Sequence, residues 1–159
     1  MKRVAAPDRA QQQRGAVALE FVLLFPFFIL VVLGALYFAS AFNTQRGLLF
    51  AAQSGGDAAL RVDRSQFTLP GEAIAYMDRV RAEACPVITA ALRRQSRDVA
   101  EKLGDSACPE EAAGTDFVSI SLDTGQPAIL IVIGYEPDWR PPLLGQFVPS
   151  ISATASVPF

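Results

Sequence analysis

Glu20 is the residue whose position in this chain asks for chemistry. It is a lone carboxylate at the start of a long apolar run. Basic residues stop at Arg14, and no residue from Phe21 to Thr44 carries a charge. A carboxylate at the centre of a bilayer costs ~2.5–3.5 kcal/mol on insertion scales, and less towards the edge. Unpartnered, Glu20 simply marks where the run begins. With a positive partner it becomes a recognition group. Cutting the peptide bond between Gly15 and Ala16 would create that partner. Ala16 would then carry a free α-amino group, and Glu20 would be the fifth residue of the new chain. The two would lie about one helical turn apart. A neighbouring copy's amine could satisfy the same carboxylate in apolar surroundings.

Other reactive groups are few. The chain has no histidine, which removes Ser-His-Asp and Cys-His catalysis together with the commonest metal ligand. Cys85 and Cys108 are the two cysteines. In an oxidising compartment an even pair is a disulfide candidate. The alternative is a pair of free or redox-active thiols, against which stands the lack of C-x-x-C spacing. A bridge would close a loop of roughly 24 residues and contribute about 3.5 kcal/mol in the chain-entropy picture. The acidic pairs Glu110-Glu111 and Glu136/Asp138 fall in loop-like sequence without any other site residue, and read as solvated surface. No enzyme activity, cofactor, metal or small-molecule substrate is expected.

The elements that position Glu20 follow from hydropathy and charge. The 22 residues Phe21 to Phe42 make a helix of about 33 Å at ~1.5 Å per residue, against a hydrocarbon core of ~30 Å. Pro26 removes one backbone donor and should weaken the helix locally. Gly34, Ala35 and Ala39 either permit close helix packing or reflect the usual small-residue content of membrane helices. The first 15 residues hold four basic residues and one acid, a charge of +3, while the remaining ten basic and 15 acidic residues give −5. That asymmetry predicts a cytoplasmic N-terminus and an exported body. An acidic body also argues against nucleic-acid binding. A cleaved secretory signal ending at Ala39-Ser40-Ala41 is the rival reading, but its apolar core should be only ~7–15 residues.

Residues 1–13, with Pro7 and Gln11-Gln12-Gln13, show no periodicity and are expected to lack regular structure. After Phe42 the helix should continue towards Val62, with Leu48, Leu49, Ala52, Ala59 and Leu60 at helical spacing. Gly55-Gly56 costs this helix ~2 kcal/mol of propensity relative to alanine, so a bend or a close packing contact is expected there. Residues 63–70 read as a connection ending at Pro70-Gly71. Glu72–Ala84 reads as a helix with Ala73, Ile74, Met77 and Val80 on one side, and Pro86 should mark a break or a fresh start. Val87–Leu103 reads as an amphipathic helix closed by Gly104, with Ile88, Ala91, Leu92, Val99 and Leu103 inward. Arg93, Arg94, Arg97, Asp98 and Glu101 face away; the arginines are either a solvated face or a patch for an anionic partner.

The last third is strand-like. Phe117–Leu122 alternates with period two, and Asp123-Thr124-Gly125-Gln126-Pro127 supplies a turn. Ala128–Tyr135 is a near-continuous β-branched run ended by Pro137. Pro141-Pro142 lies in a loop, and Ile151, Ala153, Ala155 and Val157 alternate with serines and a threonine. The fold class is therefore α+β: a long N-terminal transmembrane helix extending into a small domain of two further helices and a three-stranded antiparallel sheet. The chain divides into a cytoplasmic leader (1–15), the membrane helix with its extension (16–62) and a small exported domain (63–159).

Arg14-Gly15, Ala16-Val17-Ala18, Glu20-Phe21, Pro26, Gly34 and Ala51-Ala52 with Gly55 resemble the TadE-like family of pseudopilins of the Tad/Flp pilus machinery. The start of that pattern looks like a type IV prepilin (class III) signal. The resemblance covers roughly residues 14–60. Leu19 in place of valine, and Gln53-Ser54 after Ala-Ala, depart from the family pattern. It implies a pilin-like fold and cleavage between Gly15 and Ala16 by a membrane-embedded prepilin peptidase. It also implies that Glu20 and Phe21 guide assembly with other pilin or pseudopilin subunits. The implied location is the bacterial inner membrane, single-pass, with the lipid bilayer as a further partner. The alternative is an unprocessed bitopic protein whose exported domain binds an envelope partner.

Overall fold

The computed structural model describes residues 9–66, 72–95, 97–103, 108, 114–123, 125, 127–137 and 150–158. The expectations for Pro7, Pro70-Gly71, Gly104, Glu110-Glu111, Asp138 and Pro141-Pro142 lie outside these residues, as do Thr124 and Gln126 of the turn. The chain divides into two compact units, Met1–Ser40 and Ala41–Phe159.

The first unit is built on helix α1, which runs Arg9–Ala59 and continues into the second unit. Arg9–Gln13 are helical rather than irregular. Arginine, alanine and glutamine are good helix formers, and they only have to propagate a helix whose nucleus the apolar run already provides. Pro26 sits inside α1 without interrupting it. The loss is one backbone bond out of a long ladder.

In the second unit, α1 buries Gly47, Leu48, Ala51, Ala52, Gly55, Gly56, Ala58 and Ala59 on one face. Leu49 and Leu60, also part of the helical spacing, are exposed. The helix stops at Ala59, short of Val62; turn bonds from Arg61 N to Ala58 O and Val62 N to Ala59 O close its end. Asp63 Oδ1 then accepts bonds from Ser65 N (2.9 Å) and Ser65 Oγ (2.7 Å) at the head of a short 3-10 turn, Arg64–Gln66.

Helix α2 runs Ala73–Gln95 and α3 runs Arg97–Leu103. The break expected at Pro86 is absent: α2 runs through it to Gln95, and α3 begins at Arg97. Pro86 and Ala82, whose carbonyl loses its helical partner, are both exposed. Water can serve that carbonyl, which removes most of the cost of a proline inside a helix. Thr89 Oγ1 donates to Pro86 O at 3.0 Å. Tyr76, Met77, Val80, Ala84, Ile88, Ala91 and Leu92 form the buried face of α2. Ile74 is exposed rather than inward.

Strands β1 (Phe117–Leu122), β2 (Ala128–Tyr135) and β3 (Ile151–Pro158) form an antiparallel sheet in sequence order. Val118, Ile133 and Ala153 are in register across one row of the inner face, and Ile120, Ile131 and Ala155 across the next. Asp123 N donates to Ala128 O (2.8 Å), and Asp123 Oδ1 accepts from Gly125 N (2.9 Å), which fixes the β1–β2 turn. Arg81 of α2 donates through Nε to Ile120 O at 3.3 Å, occupying an outward carbonyl of the edge strand β1.

Candidate functional site

Gly15 and Ala16 lie on the helical backbone of α1, and Glu20 and Phe21 follow on its next turn. Residues four apart on a helix are neighbours on one face, and Ala16 and Glu20 are four apart on α1. Glu20 is exposed. Phe21 is exposed too, with its ring 5.6 Å from that of Phe25 one turn later.

The surroundings of Glu20 define the site. Large apolar side chains from Leu19 to Phe42 are exposed at successive positions, among them Phe21 to Phe25 and Phe27 to Leu33. This is not the single stripe of a helix that packs on its own core. It is an apolar surface all the way round, as in a membrane span or a helix buried among other subunits. The stretch is long and apolar enough to cross a bilayer. Gly34 belongs to it, and a Cβ built there would meet nothing within 4 Å.

Below this surface the same helix becomes a packing element. A Cβ on Gly55 would fall 2.5 Å from Ile88 Cγ1 and 3.3 Å from Ile131 Cδ1, and one on Gly56 would fall 2.8 Å from Val157 Cγ2. Of the two readings of the glycine pair, the structure takes close packing; α1 does not end or restart there. Gly47 plays the same part against the side chain of Gln95, whose Nε2 also donates to Asn43 O at 3.4 Å. Gly47 was not singled out from sequence. Its signal was the i, i+4 repeat Gly47, Ala51, Gly55, Ala59.

Cys85 and Cys108 are joined, with Cα atoms 6.0 Å apart. Cys108 is fully buried and has a φ of +40°, a left-handed conformation that costs a non-glycine residue ~1–2 kcal/mol. The bond and the burial hold it there, linking α2 to the chain that leads into β1.

Glu136 uses its backbone: its N–H donates to Asp116 Oδ1 (2.6 Å), and its carbonyl accepts from Lys102 Nζ (3.3 Å). Among the described residues, no cluster of three or more Cys, Asp or Glu side chains could hold a metal ion. A groove of about 250 Å³ between the end of α1 and β3 is lined by Gln53, Gly56, Asp57, Leu60 and Ala155 to Pro158. Asp57 supplies the one carboxylate among its lining residues.

No match was found among curated proteins or among solved structures. Residues 15–57 do match the family model described as TadE-like protein. The chain therefore carries a TadE-like segment, beginning at Gly15 and taking in Glu20, the exposed apolar run and the close-packed Gly55-Gly56.

Proposed function

We propose that this chain is a membrane-anchored minor pseudopilin that takes part in assembling a Tad/Flp-type pilus or related secretion machinery. The observation that carries the reading is the coincidence of the TadE-like match with an apolar helix that the chain itself leaves uncovered. A pilus-associated role of this family kind is structural rather than enzymatic. Prepilin peptidase would cut between Gly15 and Ala16, removing the basic leader. The new amine of Ala16 would then meet the carboxylate of Glu20, its own or a neighbour's, inside the apolar layer. Residues 16–62 would serve as membrane helix and extension, with residues 63–159 exported and the leader side cytoplasmic. The charge asymmetry of +3 before the run and −5 after Gly15 supports that orientation.

The test is genetic. Removal of this chain from a cell that makes Tad-type pili should abolish or sharply reduce them, and the intact chain supplied in trans should restore them. Normal piliation without the chain would contradict the proposal.

A further inference from the structure

The two edges of the sheet differ. At β1, Arg81 Nε occupies the outward carbonyl of Ile120. At β3, the direction of the backbone groups follows from the β1–β2 turn. Asp123 N donates to Ala128 O, so Ala128 presents its groups to β1 and the next residue, Ile129, presents its own to β3. The register sets Ile129, Ile131 and Ile133 opposite Val157, Ala155 and Ala153. Those β3 residues are therefore bonded to β2, and the N–H and C=O groups of Ser152, Thr154 and Ser156 point off the free edge. Among the described residues, none is bonded to these outward groups. The edge also lacks the devices that keep such strands from pairing. β3 has no charged residue, no proline before Pro158, and an unbroken register with β2.

Ile151-Ser152-Ala153-Thr154-Ala155-Ser156-Val157 reads the same in both directions, save for isoleucine at one end and valine at the other. Laid antiparallel on a second copy about Thr154, the strand sets threonine opposite threonine, serine opposite serine and alanine opposite alanine. The side chains of Ser152, Thr154 and Ser156 are exposed, and hydroxyls facing hydroxyls across strands are a favourable pair. The alanines fall at the non-hydrogen-bonded positions, where opposing side chains come closest and small ones fit. No charge on the strand meets its like.

We propose that β3 is a self-pairing edge, through which two copies of this chain join antiparallel about Thr154 into one continuous sheet. The partner is fixed by the strand itself, since a copy of it matches side chain for side chain. Ser152 with Ser156, and Thr154 with Thr154, each exchange two hydrogen bonds. The groove between α1 and β3 receives the second copy's Ile151, which comes opposite Val157 on the face packed by the helices. Leu60, 61% exposed in that groove, supplies apolar surface for it to cover. Asp57, the charged residue of the groove, is exposed, so any repulsion between the two copies' carboxylates is weakened by salt. The pairing concerns the second unit alone and stands apart from the pilus reading.

The test is cysteine cross-linking of the full chain in detergent micelles, with the Cys85–Cys108 bond intact. Thr154→Cys, Ser152→Cys and Ser156→Cys are made singly and treated with a mild oxidant. About the proposed axis, Thr154 faces its own copy at about 5.5 Å between Cα atoms, within reach of a disulfide. Ser152 lies roughly 14 Å from its own copy, beyond that reach, and so does Ser156. Thr154→Cys alone should therefore give covalent dimers, and each of the other two alone should give none. An equimolar mixture of Ser152→Cys and Ser156→Cys should give them again. Thr154→Lys, added to both members of that mixture, sets two like charges opposite one another at an exposed position. It should abolish these dimers and leave the helical circular dichroism and the unfolding midpoint unchanged. No cross-link through Thr154→Cys, equal yields from the three single variants, or dimers that survive Thr154→Lys would overturn the proposal.

Discussion

Gly55 lies against Ile88 so closely that a Cβ on the glycine would fall 2.5 Å from Ile88 Cγ1 and 2.6 Å from its Cδ1. This contact sets the separation of α1 and α2 in the second unit. Gly55→Ala gains ~1 kcal/mol of helix propensity but overpacks a core site, which typically costs 1–3 kcal/mol. The expected outcome is a net loss of about 1 kcal/mol in thermal or denaturant unfolding. Ile88→Val, which removes the Cδ1 atom, should recover part of it. A double-mutant cycle should then show coupling of ~0.5 kcal/mol or more. Strict additivity would mean that the two residues do not share the contact.

The Cys85–Cys108 bond closes a long loop in a small unit, where such links matter most. Replacing both cysteines by alanine should lower stability by about 2–4 kcal/mol. The oxidised chain should also run faster than the reduced one in a denaturing gel. The same unfolding midpoint with and without reductant would show that the bond does not restrain the folded unit.

On β2, Ile131 and Leu130 are adjacent but face opposite sides of the sheet. Ile131 is fully buried on the face packed by the helices, and Leu130 is half-buried on the other. Ile131→Ala should cost ~2–5 kcal/mol, and Leu130→Ala clearly less. Equal losses would place the strand in the wrong register, because a one-residue slip exchanges the two faces.

Most of this architecture was legible in the sequence because period and burial agree. Phe117–Leu122 and Ile151–Val157 alternate as half-buried strands do, and the β-branched run Ile129–Ile133 reads as the middle strand, which it is. Ile88, Ala91, Leu92, Val99 and Leu103 all proved to be core. The helix boundary was not legible. A proline signals a missing donor, but whether a helix breaks there depends on whether the freed carbonyl is buried, which is a tertiary fact. Ala82 and Pro86 are exposed, so α2 runs through. The partner of Gly47 was likewise hidden, since nothing local ties residue 47 to residue 95. The start of the TadE-like segment, Gly15 to Phe21, was readable because that pattern is carried by contiguous residues.

Glu20→Ala should leave processing intact while assembly fails. The altered chain should reach the membrane and show the same mass after cutting as the parent, corrected for the substitution, yet pili should be lost or greatly reduced. A carboxylate in apolar surroundings is tolerated only with a partner, and on the proposed reading its removal would strand the amine that cutting would give Ala16. Unchanged pilus output would remove the role proposed for this carboxylate.

The proposed cut between Gly15 and Ala16 is the step from which the rest of the proposal follows, and it can be read directly at the N-terminus. The protein should be recovered from the membrane fraction of cells with a working prepilin peptidase, and its first residues and intact mass determined. The account predicts a chain beginning Ala16-Val17-Ala18-Leu19-Glu20, and the full-length chain when the peptidase is inactivated. A terminus at Met1 in cells with the working peptidase, or at Phe42 in any cell, would contradict it.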